Sequence, residues 1–114
     1  MIFLESTVIV CLSIQFIFAP SFSKISHDIF TSLIFGKFSM LFTGDAELQE
    51  EKKLIKEQNS RLFSRILKVG HHGSRTSSSE DFLKSIKPES ALISNGMYNS
   101  YGHPHDITLR RLQE

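Results

Sequence analysis

The chain has 114 residues, 40% of them apolar and 10 of them Phe, so it can pack a core but makes at most one domain of ordinary size, or part of a larger one. A net charge of +1 gives no global basic field, which argues against a dedicated non-specific nucleic-acid binder. Cys11 is the single cysteine, so an internal disulfide and a cysteine-built zinc site are both excluded, and the five histidines are the main metal-ligand candidates.

In chain order, an apolar run extends from Thr7 to Ala19. It alternates as Val8, Val10, Leu12, Ile14, Phe16 and Phe18 against Ile9, Cys11, Ser13, Gln15 and Ile17, which predicts a buried strand. No positive charge precedes the run, and it is short for a membrane span. An uncleaved signal or anchor, or a stretch of no native structural meaning, are the alternatives. Pro20 ends it, because proline cannot donate to a sheet ladder. "SHDIFTSLIFGKFSMLFTGD" predicts a hairpin, with strands over Phe30 to Phe35 and Phe38 to Phe42 and a Gly36-Lys37 turn. The Phe-rich hairpin is the expected sticky surface.

"AELQEEKKLIKEQNS" changes period. Leu48, Leu54 and Ile55 share one side of a helix, Asp45 stands where it could receive the first free amides, and Asn59-Ser60 closes it. "LFSRILKVG" predicts a strand ending at Gly70. "SSSEDFLKSIK" predicts a helix opened by a Ser77–Glu80 capping box, burying Phe82, Leu83 and Ile86 and stopped by Pro88. "SALISNG" predicts a strand, and "HDITLRRLQ" a last helix with Asp106 as its cap. Strands alternating with helices give an α/β layered fold.

The polar residues collect where strands end. Asp45 follows the first central strand, His71 and His72 the second, and His103 and His105 the third. If those strands are parallel neighbours, their ends lie along one sheet edge, where open α/β sheets bind ligands. One carboxylate and several imidazoles gathered there suit a borderline metal such as zinc. Each residue alone has an ordinary reading: Asp45 as a helix cap, His71-His72 as a loop cluster, His103 as a loop residue before proline, and Asn95, Asn99 and Ser100 as turn formers. On an extended chain adjacent side chains diverge, so at most one of the twin histidines is expected at a given ion.

"GKFSMLFTGDAE", "ILKVGHHGSRTSSSEDFLKSIKP" and "ALISNGMYNSYGHPH" together resemble the C-terminal half of the metallo-β-lactamase-fold domain of the ComEC competence-protein type. The resemblance runs from about Phe18 to Leu112. It implies half of a four-layer αββα sandwich, a mixed sheet with helices on one face, over residues 20–114; residues 1–19 form a separate apolar segment. It implies a two-metal hydrolytic site, with zinc or manganese, in which Asp45 matches the bridging carboxylate and His71 or His72 the last ligand. His103 matches a catalytic position near the mouth. Ser74, Arg75 and His105 lie on the substrate-binding rim. The implied substrates are phosphodiesters, nucleic acid included, in DNA uptake, and the implied location is the cytoplasm or membrane surface of a bacterium.

The chain departs from that pattern in one respect. The family's His-x-His-x-Asp-His motif, which supplies most of the metal ligands, is absent from this sequence, and His27 in "SHDIF" does not stand in for it. The chain is therefore expected to be the second half of a domain, inactive in hydrolysis by itself, with the missing N-terminal half as a partner. A non-catalytic module with a remnant metal site and a membrane-associated accessory of DNA uptake are the alternatives.

Overall fold

A computed structural model of the chain describes residues 14–15, 30–58 and 62–114. The rest of the Thr7–Ala19 run, His27 and the helix end at Asn59-Ser60 lie outside the described residues.

Strand alternation and one tight turn build the start of the sheet. β2 (Thr31–Phe35) and β3 (Phe38–Phe42) pair antiparallel, with Phe35 opposite Phe38 and Thr31 opposite Phe42. The two-residue connection needs a positive φ, and Gly36 supplies it at 56°. The predicted hairpin is thus borne out, its first strand beginning one residue later. β1 (Ile14–Gln15) adds to β2 antiparallel. β4 (Ile66–Lys68) lies parallel to β3, and β5 (Ser90–Leu92) parallel to β4. The order β1-β2-β3-β4-β5 makes a mixed sheet. Three helices complete the α/β fold: α1 (Leu48–Gln58), α2 (Glu80–Ile86) and α3 (Asp106–Gln113).

Period-2 alternation decides which residues reach the core. Leu41, Leu67, Val69 and Ile93 are buried with Leu54 of α1 and with Phe82 and Ile86 of α2. Leu109 and Leu112 of α3 pack against this cluster. Each such buried side chain stabilises the fold by about 1.5–3 kcal/mol relative to exposure. Met40, Phe42, Ile66, Lys68 and Leu92 point to the opposite sheet face and are half-buried. Ile34, Phe35 and Phe38, at the hairpin tip, are exposed.

The helix starts differ from expectation. The cap of α2 is Ser79, whose hydroxyl accepts from Phe82 N, and Ser77 is not the cap. Ser77 is buried instead, its Oγ lying 2.8 Å from Gly70 O. The reason is Glu51, a buried carboxylate on α1 that accepts the amides of Ser78 and Ser79. Burial pushes the Glu51 carboxyl above its ordinary value, against the lowering effect of those serine hydrogen bonds and of Arg111. Asp106 is the first residue inside α3 rather than its cap; His105 occupies the cap position and makes no side-chain capping bond. Asp45 stands three residues before α1. The amide of Leu48 is taken by Thr76 O at 2.9 Å and that of Glu47 by Glu50 Oε2 at 3.1 Å.

Candidate metal and phosphate site

Three parallel strands end on one edge. β3 runs into Thr43-Gly44-Asp45, β4 into the Gly70–Gly73 turn, and β5 into the loop that reaches His105. Two bonds fix the first loop to the second: the buried Thr43 hydroxyl donates to Lys68 O at 2.8 Å, and His71 N donates to Gly44 O at 3.0 Å.

The twin histidines do not lie on an extended chain. His71 (φ 47°, ψ 42°) and His72 (φ 55°, ψ 24°) are both left-handed, and Ser74 N closes the turn onto His71 O at 2.9 Å. For residues with a Cβ this costs about 1–2 kcal/mol each. The expected divergence of the two rings is therefore set by a tight turn, and each ring meets its own carboxylate. His72 Nε2 is 3.7 Å from Asp45 Oδ1, and His71 Nδ1 is 3.2 Å from Glu47 Oε1.

Hydrogen bonds distinguish the ring nitrogens. His72 Nδ1–H donates to Ser94 O at 2.7 Å. A neutral ring held this way has its lone pair on Nε2, the atom nearest Asp45. Two acceptors 3.7 Å apart repel, and a proton or a shared cation relieves them. His71 Nδ1 is a buried atom out of line for a well-formed hydrogen bond, and the Glu47 oxygen beside it also accepts from Thr76 Oγ1 at 3.0 Å. A proton on Nδ1 beside that carboxylate leaves Nε2 of His71 free as well. His105 has the opposite arrangement: its Nδ1 accepts from Arg75 N at 3.0 Å, so a neutral His105 carries its proton on Nε2.

His103 stands among these rings. Its centroid is 5.8 Å from that of His71, 6.5 Å from His72 and 4.8 Å from His105. Lost hydration holds its pKa below the ordinary histidine value, and the neighbouring His105, His71, His72 and Arg75 add to the disfavour of its charged form. Asn95 Nδ2 and Asn99 Nδ2 both donate to His103 O, at 2.7 and 2.8 Å, and His103 N donates to Asn99 Oδ1 at 2.9 Å. These asparagines do more than form turns; they fix the backbone that carries His103. Lys68 approaches from the strand behind, its pKa lowered by burial and raised in part by Asp45.

Gly73 lets the third loop close on the second. Its φ is 82°, and a Cβ there would lie 2.6 Å from Pro104 Cβ and 3.1 Å from Pro104 Cα. His105 N donates to Gly73 O at 3.0 Å across the same contact. Arg75 is exposed and its guanidinium reaches within 3.4 Å of His105 Nε2. Ser74 is buried, its hydroxyl 3.1 Å from that of Thr76, so it lies beneath the rim and not on it.

The edge thus gathers Asp45, His71, His72, His103, His105 and Arg75, and turns Ser74 inward. Sequence reasoning missed Glu47, whose only signal was its place two residues after Asp45. Zinc or manganese would find part of its donor set here, since Asp45 Oδ1 and His72 Nε2 face each other with lone pairs free. Among the described residues no group of three or more His, Cys, Asp or Glu side chains stands ready to hold a metal ion.

The chain is 38% identical over 81 residues to "Competence protein ComA" of Neisseria gonorrhoeae, covering 71% of this chain and 12% of the relative. It is 40% identical over 78 residues to "ComE operon protein 3" of Bacillus subtilis, covering 68% of this chain and 10% of that protein. These likenesses support a competence-protein family. "Recombination protein 2" of Haemophilus influenzae is 41% identical over 83 residues, covering 68% of this chain and 9% of the relative. The chain therefore spans about a tenth of the length of the competence proteins it matches. No family model and no solved structure matches it. Among the described residues no helix is long and apolar enough to cross a membrane.

Proposed function

We propose that this chain supplies part of a site for metal-assisted cleavage of phosphodiesters in a DNA-uptake system. The observation that carries the reading is the pairing, across one sheet edge, of Asp45 Oδ1 with a His72 Nε2 held free by the Nδ1–Ser94 bond. The likeness to competence proteins supports the DNA-uptake setting. The motif resemblance supports half of a metallo-β-lactamase-type sandwich over residues 20–114.

In this reading Asp45 and one of the twin histidines, His72 by its approach to Asp45 or else His71, would hold a divalent cation, zinc or manganese, with the remaining ligands coming from outside this chain. When bound, such a cation polarises a phosphoryl oxygen and brings a bound water close to deprotonation at neutral pH. The chain's own residues do the rest. The His105 Nε2–H and the Arg75 guanidinium are donors for phosphoryl oxygens. His103, kept neutral, accepts a proton first and can return it to a leaving oxygen. The Asn95 and Asn99 bonds hold its backbone in place while it does so.

The second reading is a non-catalytic module with a remnant metal site, favoured by the lack of a complete ligand group among the described residues. Hydrolysis of a bis-aryl phosphodiester with added manganese or zinc separates the two. Turnover that Asp45→Asn abolishes supports the hydrolytic reading. Zinc binding in calorimetry that Asp45→Asn weakens, with no turnover alone or with the N-terminal half of the domain supplied, supports the second.

A further inference from the structure

The loop between β5 and α3 exposes large side chains that the site chemistry does not use. Tyr98 is 94% exposed, Met97 81% and Tyr101 75%. Exposed aromatic and thioether groups are unfavourable in water, so several on one short loop point to a partner surface. The loop is nevertheless braced. Asn99 Nδ2 donates to Gly96 O at 2.9 Å, Asn99 N donates to the same carbonyl at 3.3 Å, and both Asn95 and Asn99 tie the loop to His103 O. The side chains are thus presented from a pre-set backbone, which lowers the ordering cost of binding.

Their neighbours indicate what binds. The Tyr101 ring lies nearly parallel to that of His103, 5.6 Å between centroids and 22° between planes, and the His103 and His72 rings are inclined by only 18°. A row of flat faces therefore leads from the loop tip to the histidines. Beside it lie the Arg75 guanidinium and the His105 Nε2, donors suited to phosphate oxygens. Flat π-faces next to a cationic phosphate contact are the two ingredients of single-strand recognition. A duplex keeps its base faces stacked on one another and cannot offer them.

The geometry points to Tyr98 and Tyr101 as a stacking platform for unpaired nucleobases, feeding a single-stranded nucleic acid toward the histidine edge. This rests on the phosphodiester reading of that edge and adds to it the strandedness of the substrate and the residues that hold its bases.

The chain is suited to a direct test, because its only tyrosines are Tyr98 and Tyr101 and it contains no Trp. Intrinsic tyrosine emission of the full chain therefore reports on this loop alone. In EDTA, so that nothing is cleaved, the chain is titrated with a single-stranded oligothymidylate of about ten nucleotides. Saturable quenching is expected, with an abasic strand of equal length and a duplex binding at least about 5-fold more weakly. Anisotropy of a labelled single strand should show a loss of affinity of about 5- to 100-fold for Tyr98→Ala, similarly for Tyr101→Ala, and near-native binding for the Phe variants. Tyr98 is so exposed that its removal cannot unfold the chain, and circular dichroism checks Tyr101→Ala.

Equal binding of abasic and base-bearing strands, unchanged affinity in both alanine variants, or no response to any oligonucleotide each overturns the proposal. The last leaves the loop to a protein partner. Phosphodiesterase turnover that depends on Asp45 but is accompanied by no quenching sinks the platform alone. Quenching without turnover, even with the N-terminal half of the domain supplied, keeps the platform and sinks the hydrolytic reading.

Discussion

The Glu47 carboxylate lies 3.2 Å from the buried Nδ1 of His71, and the same oxygen receives the Thr76 hydroxyl at 3.0 Å. With the proton on Nδ1, a carboxylate so anchored would orient the imidazole and leave its Nε2 lone pair available. Removing such a partner from a metal-binding histidine costs about 10- to 100-fold in affinity. Where His71 serves as a ligand of the proposed cation, Glu47→Ala is expected to weaken zinc binding within that range in calorimetry. The nitrogen shifts of His71 should lose their Nδ1–H signature, while those of His72, held by Ser94 O, stay as they were.

The left-handed backbone at His72 makes an inverted mutational order. At most positions Gly is less stabilising than Ala, because it loses more freedom on folding. With φ at 55°, the Cβ of Ala is strained and Gly is not. His72→Gly should therefore be more stable than His72→Ala by about 1 kcal/mol in urea unfolding, although both lose the bond to Ser94 O.

Gly73→Ala should be penalised on the same ground, and by more. A methyl group 2.6 Å from Pro104 Cβ has no room, and φ of 82° adds strain of its own. A loss of about 2 kcal/mol or more is expected in denaturant unfolding. Signals of His103 and His105 should shift more than those of Asp45, because the Pro104 loop is what must move.

Two groups set opposite pH trends. The Glu51 carboxyl is raised in the folded state by burial. Its contribution is therefore fully present below the unfolded carboxyl pKa, about 4.3, and is lost as pH rises through the folded value. The stability of the native chain relative to Glu51→Gln should fall as pH climbs from about 4 toward neutrality.

His103 runs the other way. Its pKa is lowered, first by lost hydration and then by the neighbouring His105, His71, His72 and Arg75. Stability linked to it is present above the unfolded value, about 6.5, and is lost as pH falls through the folded one. A proton titration of the five histidines should find His103 charging at a lower pH than a free histidine.

Much of the fold was legible because its periods are clean. The alternation through Phe38 to Phe42 and the Gly36-Lys37 turn identify the hairpin, and the spacing of Phe82, Leu83 and Ile86 identifies the face of α2 that meets the core. The placing of Asp45, His71 and His103 at neighbouring strand ends followed from the strand–helix order once β3, β4 and β5 proved parallel. The left-handed turn was hidden because His71 and His72 lack the Gly or Asn that usually marks one. The true cap of α2 was hidden because its decisive partner, Glu51, is 28 residues from Ser79 and sits in a run of charges that reads as a solvated face. Glu47 was hidden for the same reason.

The parallel run of β3, β4 and β5 also separates two properties of the molecule. The exposed Ile34, Phe35 and Phe38 cluster where β3 begins, and Asp45 and the imidazoles gather where it ends. Covering those apolar groups would leave the histidine edge open. The apolar tip and the histidine edge can then be altered independently, each by substitution at one end of the sheet.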